Sequence, residues 1–127
     1  MKKLVAFSVA VVAAGLIVAW NVSAEEEHHH ESAGEGTVTV KGEVLDMACY
    51  LDHGAHGEKH AQCAATCIES GLPVGIKGED GKTYLLIGEH KPLNKTLAAY
   101  AGKTITVKGK LSNRDGINMI SDTEIQK

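Results

Sequence analysis

The chain has 127 residues, with 13 Lys or Arg against 16 Asp or Glu, a formal net charge of −3 and only 4% aromatic side chains. That length predicts one domain. A single arginine (Arg114) and so few aromatics offer neither a basic surface for phosphates nor a stacking platform for bases, which excludes nucleic acid as a partner.

In chain order, Lys2 and Lys3 precede an apolar run over residues 4–20, followed by Asn21-Val22-Ser23-Ala24 and three glutamates. A basic start, an apolar core and small residues at a V-x-A step predict a secretory signal peptide over residues 1–24, cleaved after Ala24. The run is close to the length of a membrane span, so a retained N-terminal anchor is the alternative. No Cys lies near Ala24, which argues against a lipid anchor. Both outcomes place the rest outside the cytoplasm, periplasmic or secreted. Residues 25–36, EEEHHHESAGEG, have nothing to bury and read as a disordered acidic and His-rich linker. His28, His29 and His30 can collect metal there, or the segment is simply a solvated tail.

The domain, residues 37–127, opens on alternating Val38, Val40 and Val44, the two-residue period of a half-buried strand. An irregular stretch over 47–57 precedes a helix over 58–70, closed by Gly71 with Pro73 just beyond. Residues 74–77 and 82–87 flank Gly78-Glu79-Asp80-Gly81, a hairpin signal. Asn94 can cap a short helix over 95–101 that Gly102 ends. Strands over 104–111 and 117–125 flank a turn at 113–116.

Thr37-Val-Thr-Val-Lys-Gly-Glu-Val44 echoes Thr104-Ile-Thr-Val-Lys-Gly-Lys-Leu111. Gly42 and Gly109 fall at the same place in both, and Gly inside a strand marks a bulge or a barrel corner. The expected fold is mainly β with two short helices: a small five-stranded Greek-key barrel. The order strand, strand, strand, helix, strand, strand resembles an OB-fold. The segment from Ala101 to Leu111 with Asp115-Gly116-Ile117 is similar to the G-K-x-V-x-V-x-G ending of small secreted bacterial OB-like domains. The stretch from Asp46-Met-Ala-Cys-Tyr-Leu to Gly-Leu-Pro-Val-Gly-Ile76 also looks like uncharacterised secreted bacterial proteins. The resemblance implies a fold and no activity. The departure is an insertion, residues 47–72, between strands 1 and 2.

That insertion concentrates the chemistry. Cys49, His53, His56, His60, Cys63 and Cys67 fall within 19 residues at spacings of 4, 3, 4, 3 and 4, with Met47 just upstream. Gly54 and Gly57 argue against one continuous helix, at about 1 kcal/mol each in a helix interior. On a wheel of about 100° per residue, Ala61, Ala64, Ala65 and Ile68 form an apolar face, and His60, Cys63 and Cys67 a stripe along its border. Cys49, His53 or His56 can close a fourth position from the preceding loop. Thiolates with imidazole suit one zinc or copper ion, and Cys3His is a recognised zinc set. Cys63-x-x-x-Cys67 is similar to the copper-binding CxxxC of oxidase-assembly copper chaperones. Asp52 and Glu58 are candidates to orient imidazole N–H groups. His90 reads as a solvated loop residue and Met119 as core filler.

A disulfide with one spare thiol is the alternative outside the cytoplasm, and a redox pair a third. The absence of CxxCH excludes attached haem, and no third orienting residue supports hydrolysis. The reading favoured here is an exported transition-metal-binding protein, not an enzyme, handling copper or zinc by buffering, delivery or sensing. The competing reading is an adaptor module, stapled by disulfide or zinc, for a peptide, glycan or membrane-protein partner. The odd cysteine leaves a covalent dimer open.

Overall fold

A computed structural model describes residues 36–127. The expectations for the signal and for residues 25–35, including His28 to His30, lie outside the described residues.

Five strands close into a barrel in the order β1-β2-β3-β5-β4, with β4 returning to β1. β1 (Gly36–Asp46) is long because it serves two neighbours. Its first part runs antiparallel to β4 (Thr104–Arg114), and its last part antiparallel to β2 (Val74–Gly78). The handover falls at Gly42, which faces Ile105 of β4 and Gly78 of β2. A side chain at Gly42 would run into the Lys77 carbonyl, so glycine permits the close approach that turns this corner. At the matching place in β4, the register against β5 (Ile117–Gln126) shifts between Lys108 and Lys110, around Gly109. The two echoing glycines therefore mark a corner and a bulge, as their positions predict.

β2 and β3 (Thr83–Leu86) form the expected hairpin. Its turn is fixed by Asp80, which accepts from the Lys82 N–H and from the Tyr84 hydroxyl. These bonds hold the Asp80 carboxyl below its usual range. Burial first, then the hydrogen bond to Asp80, pushes the Tyr84 phenol up to about 12. The crossover from β3 to β4 carries a single-turn helix, α3 (Asn94–Leu97), continued by a 3-10 turn, Ala98–Tyr100. Leu97, Ala98 and Ala101 on this crossover are buried in the barrel core with Val44, Ile76, Leu86, Val107 and Ile120. β3 pairs parallel with β5, which closes the barrel.

The insertion differs from expectation in one respect. It holds two helices rather than one: α1 (Met47–His53), a 3-10 turn (Glu58–His60) and α2 (Ala61–Glu69). The described residues thus hold three short α-helices where two are predicted, because residues 47–53, read as irregular, are helical. α2 keeps the predicted apolar face, with Ile68 fully buried and Ala64 and Ala65 packed on the core. Asn94 is not a cap. It is the first residue of α3, and its side-chain amide donates to the Ile68 and Leu72 carbonyls at 2.8 and 2.7 Å, tying the end of α2 to α3.

Candidate metal centre

The centre begins where β1 becomes α1. Asp46, the last residue of β1, is only 2% exposed, and its carboxylate accepts from the Ala48 and Cys49 N–H groups at 3.1 and 3.2 Å. This is a side-chain N-cap, and it fixes the first turn of α1 with Cys49 in it. Met47 is buried with its sulfur packed against Gly75, so its thioether is committed to the barrel wall.

α1 stops after two turns because Gly54 adopts φ +71° and donates to the Tyr50 carbonyl, a left-handed helix ending that glycine makes without strain. Gly57, at φ +82°, turns the chain again, and its N–H donates to the Glu43 carboxylate on β1. Glycines that forbid one long helix here fold it back as a hairpin of two.

α2 then ends in a Schellman arrangement. Gly71 N–H donates to the Ile68 carbonyl, and Leu72 N–H to the Cys67 carbonyl at 3.1 Å. The Ser70 hydroxyl adds a second bond to the Cys67 carbonyl at 2.7 Å. The backbone of Cys67 is therefore held from both the helix and its cap.

The fold-back brings three sulfurs together. The Sγ atoms of Cys49, from α1, and of Cys63 and Cys67, one turn apart on α2, all lie within 4.8 Å of one another. All three are free thiols; Cys49 and Cys67 are half-buried and Cys63 is exposed. Three thiolates at about 2.3 Å from one ion stand roughly 3.8–4 Å apart, so a small inward movement gives a first coordination shell. Three cysteines so arranged can hold a metal ion.

The surroundings are electronegative. The hydrogen bond to the Asp46 side chain, then burial and the charge of that carboxylate, push the Cys49 thiol up to about 12. Burial raises Cys67 as well. Without a cation Cys49 and Cys67 are thus held protonated. The same negative field attracts a cation, which must displace those protons to bind.

The histidines fall beside the trio. His53, His56 and His60 line a cleft of about 30 Å3 together with Glu43, Asp46, Cys49 and Cys63. Each is exposed. His53 Nδ1 lies 3.1 Å from Asp52 Oδ2, the pairing that the sequence offers. The His56 ring stands edge-on to Tyr50, with centroids 6.4 Å apart. Among the described residues, the sulfurs are the one group of three or more Cys, His, Asp or Glu ligand atoms gathered closely enough for a single ion. All six candidate residues therefore border one locality, as a sulfur trio and an adjoining imidazole cleft. His90 is exposed at φ +52° on the loop before α3, and Met119 is half-buried in β5.

Sequence reasoning missed two residues that build the site. Asp46 was readable as a cap, since an aspartate eight residues before Gly54 brackets a short helix. Gly102, at φ +69°, reads from the sequence only as the end of the helix over 95–101, and its part in seating the insertion had no local signal. A side chain there would run into Ala61 of α2, so this glycine lets the insertion sit down on the barrel.

Compared with models of protein families, with curated proteins and with solved structures, the chain shows no significant match.

Proposed function

We propose that this protein is an exported transition-metal-binding protein that handles copper or zinc by buffering, delivery or sensing. The observation that carries the reading is the convergence of three thiols from two helices at one point of an otherwise chemically plain barrel. In this reading Cys49, Cys63 and Cys67 supply three thiolates. His60, three residues before Cys63 and lining the adjoining cleft, supplies the fourth ligand, with His53 and His56 as alternates. Soft sulfur with borderline imidazole selects Cu(I) or Zn(II) over oxygen-seeking ions. The function is binding rather than catalysis. Export rests on the basic, apolar and small-residue pattern of residues 1–24, and the charged, His-rich segment after it would raise the local metal concentration.

The test is the metal content of protein purified without chelator, compared with the Cys63→Ser/Cys67→Ser variant. We expect bound copper or zinc in the parent and none in the variant. Equal content in both would overturn the proposal. The same sulfur proximity also supports a second reading, in which Cys49 pairs with Cys63 or Cys67 as a staple for an adaptor module. A thiol count separates them. A metal site yields three thiols once metal is removed from denatured, unreduced protein, and a staple yields one.

A further inference from the structure

Three sulfurs are an odd number for a chemistry that joins them in pairs. Those of Cys49, Cys63 and Cys67 lie within 4.8 Å of one another, and none is bridged. A bond of about 2 Å between any two would leave a single sulfur, so a bridge and a three-thiolate shell exclude each other. The three are also unequal. Cys63 is exposed while Cys49 and Cys67 are half-buried, so a reagent from solvent meets Cys63 first. Cys49 and Cys63 both line the cleft, and Cys67 does not. Cys63 and Cys67 are one turn apart on α2, about 6 Å along its axis and near the upper limit for a bridge. The Cys67 carbonyl is held besides by the Leu72 N–H and the Ser70 hydroxyl. Cys49, on α1, is therefore the partner that Cys63 can reach without opening α2. Over residues 47–72 only Met47 and Ile68 are buried, so little core packing resists that approach.

Resting on the metal-binding reading above, we infer that the trio is a redox-gated site, in which a low-molecular-weight disulfide joins Cys49 to Cys63 and so expels the metal. The Cys63 sulfur attacks one sulfur of the disulfide RSSR, whose S–S bond breaks and releases one RS⁻. The Cys49 sulfur then attacks Cys63 Sγ, and the second RS⁻ leaves. Two protein thiolates have lost two electrons and RSSR has gained them. The metal, unchanged in oxidation state, is left with Cys67 as its one sulfur ligand and dissociates. A thiol reductant entering at Cys63 reverses the steps, and exposure at that sulfur keeps the bridge labile. Because the three-thiolate shell needs the reduced trio, bound metal opposes the bridge, and the loaded chain is the resting state.

The test loads the reduced full chain with Zn(II) or Cu(I) in the absence of oxygen and adds glutathione disulfide. Released metal is read with pyridylazoresorcinol or bicinchoninate, and the cysteines by alkylation and peptide mass. We expect one metal released per bridge formed, glutathione first on Cys63, and a Cys49–Cys63 bridge at the end. Tris(carboxyethyl)phosphine should restore three thiols and metal uptake. The metal-free chain should bridge at lower glutathione disulfide than the loaded one. In metal-free Cys49→Ser the glutathione adduct on Cys63 should persist, whereas Cys67→Ser should close the bridge as the parent does. Metal retained by a bridged chain, release without loss of thiols, or a first adduct away from Cys63 would overturn the gate. So would equal sensitivity with and without metal, or no bridge in either form. If the reduced parent holds neither metal, the metal-binding reading itself fails; if it holds metal that oxidation does not discharge, the gate alone fails.

Discussion

The barrel and the insertion are held together by different forces. Val44, Ile76, Leu86, Leu97, Val107 and Ile120 are buried in the barrel, and each such side chain contributes about 1.5–3 kcal/mol. Over residues 47–72 only Met47 and Ile68 are buried. Order there comes from hydrogen bonds: the Asp46 cap and the Gly54 and Gly71 helix endings, which are local, and the Asn94 tie, which is not. A segment with so little apolar burial is one that a bound ion can stabilise appreciably, because binding to a site absent from the unfolded chain adds directly to folding. In the metal-binding reading proposed above, the barrel is a scaffold indifferent to metal, and the insertion is the element that a bound ion would stabilise.

Stripping the metal should expose this difference most strongly. We expect amide hydrogen exchange over 47–72 to lose most of its protection while the strands keep theirs. Equal loss in both regions would break the comparison. Core truncation gives the next effect. Ile68→Ala and Ile120→Ala each remove a fully buried side chain and should cost about 2–5 kcal/mol in global stability. Below the unfolding transition, Ile68→Ala should also weaken metal affinity and Ile120→Ala should not; competition against a chelator reads the distinction.

Smaller effects belong to the joints between the two regions. Gly102→Ala places a side chain against Ala61 in left-handed backbone and should cost about 1–2 kcal/mol by denaturant unfolding, from conformation alone. Asn94→Ala removes two hydrogen bonds worth about 0.5–1.5 kcal/mol each, with the loss expected mainly as fraying of α2.

The pH dependence sharpens the electrostatic side. The folded, metal-free state raises Cys49 from 9.0 to about 12, so it favours the protonated thiol. The resulting stability is complete below pH 9 and is lost as pH rises toward 12. Asp46→Asn keeps a capping side chain but removes the charge, which should lower the Cys49 pKa. Iodoacetamide labelling of metal-free protein, mapped by mass, should then show faster modification of Cys49 at pH 8 than in the parent. An equal rate would remove Asp46 from the account.

Much of the barrel was legible because its cause is local and periodic. Alternating valines placed β1, the Gly78 to Gly81 turn placed the hairpin, and Gly42 and Gly109 announced a corner and a bulge. The site was legible as a cluster and less so as a geometry. The three-and-four spacing from Cys49 to Cys67 makes six residues look equivalent on one helical stripe, but that equivalence ends where Gly54 and Gly57 fold the chain back. Beyond that point, which side chains meet depends on how α1 is aimed, and Asp46 and the Glu43 bond to Gly57 set the aim. α1 itself was hidden by its brevity, since seven residues show barely two helical turns. Gly102 and Asn94 act across distant segments, through tertiary contacts that no local pattern encodes.

Everything proposed for this protein turns on whether the three sulfurs hold a metal. Native mass spectrometry of protein exported with its own signal, prepared without chelator or reductant, tests it most directly. We expect the mass of the fully reduced chain plus a single copper or zinc ion. A metal-free chain lighter by two hydrogens would contradict it, making the cysteines a staple.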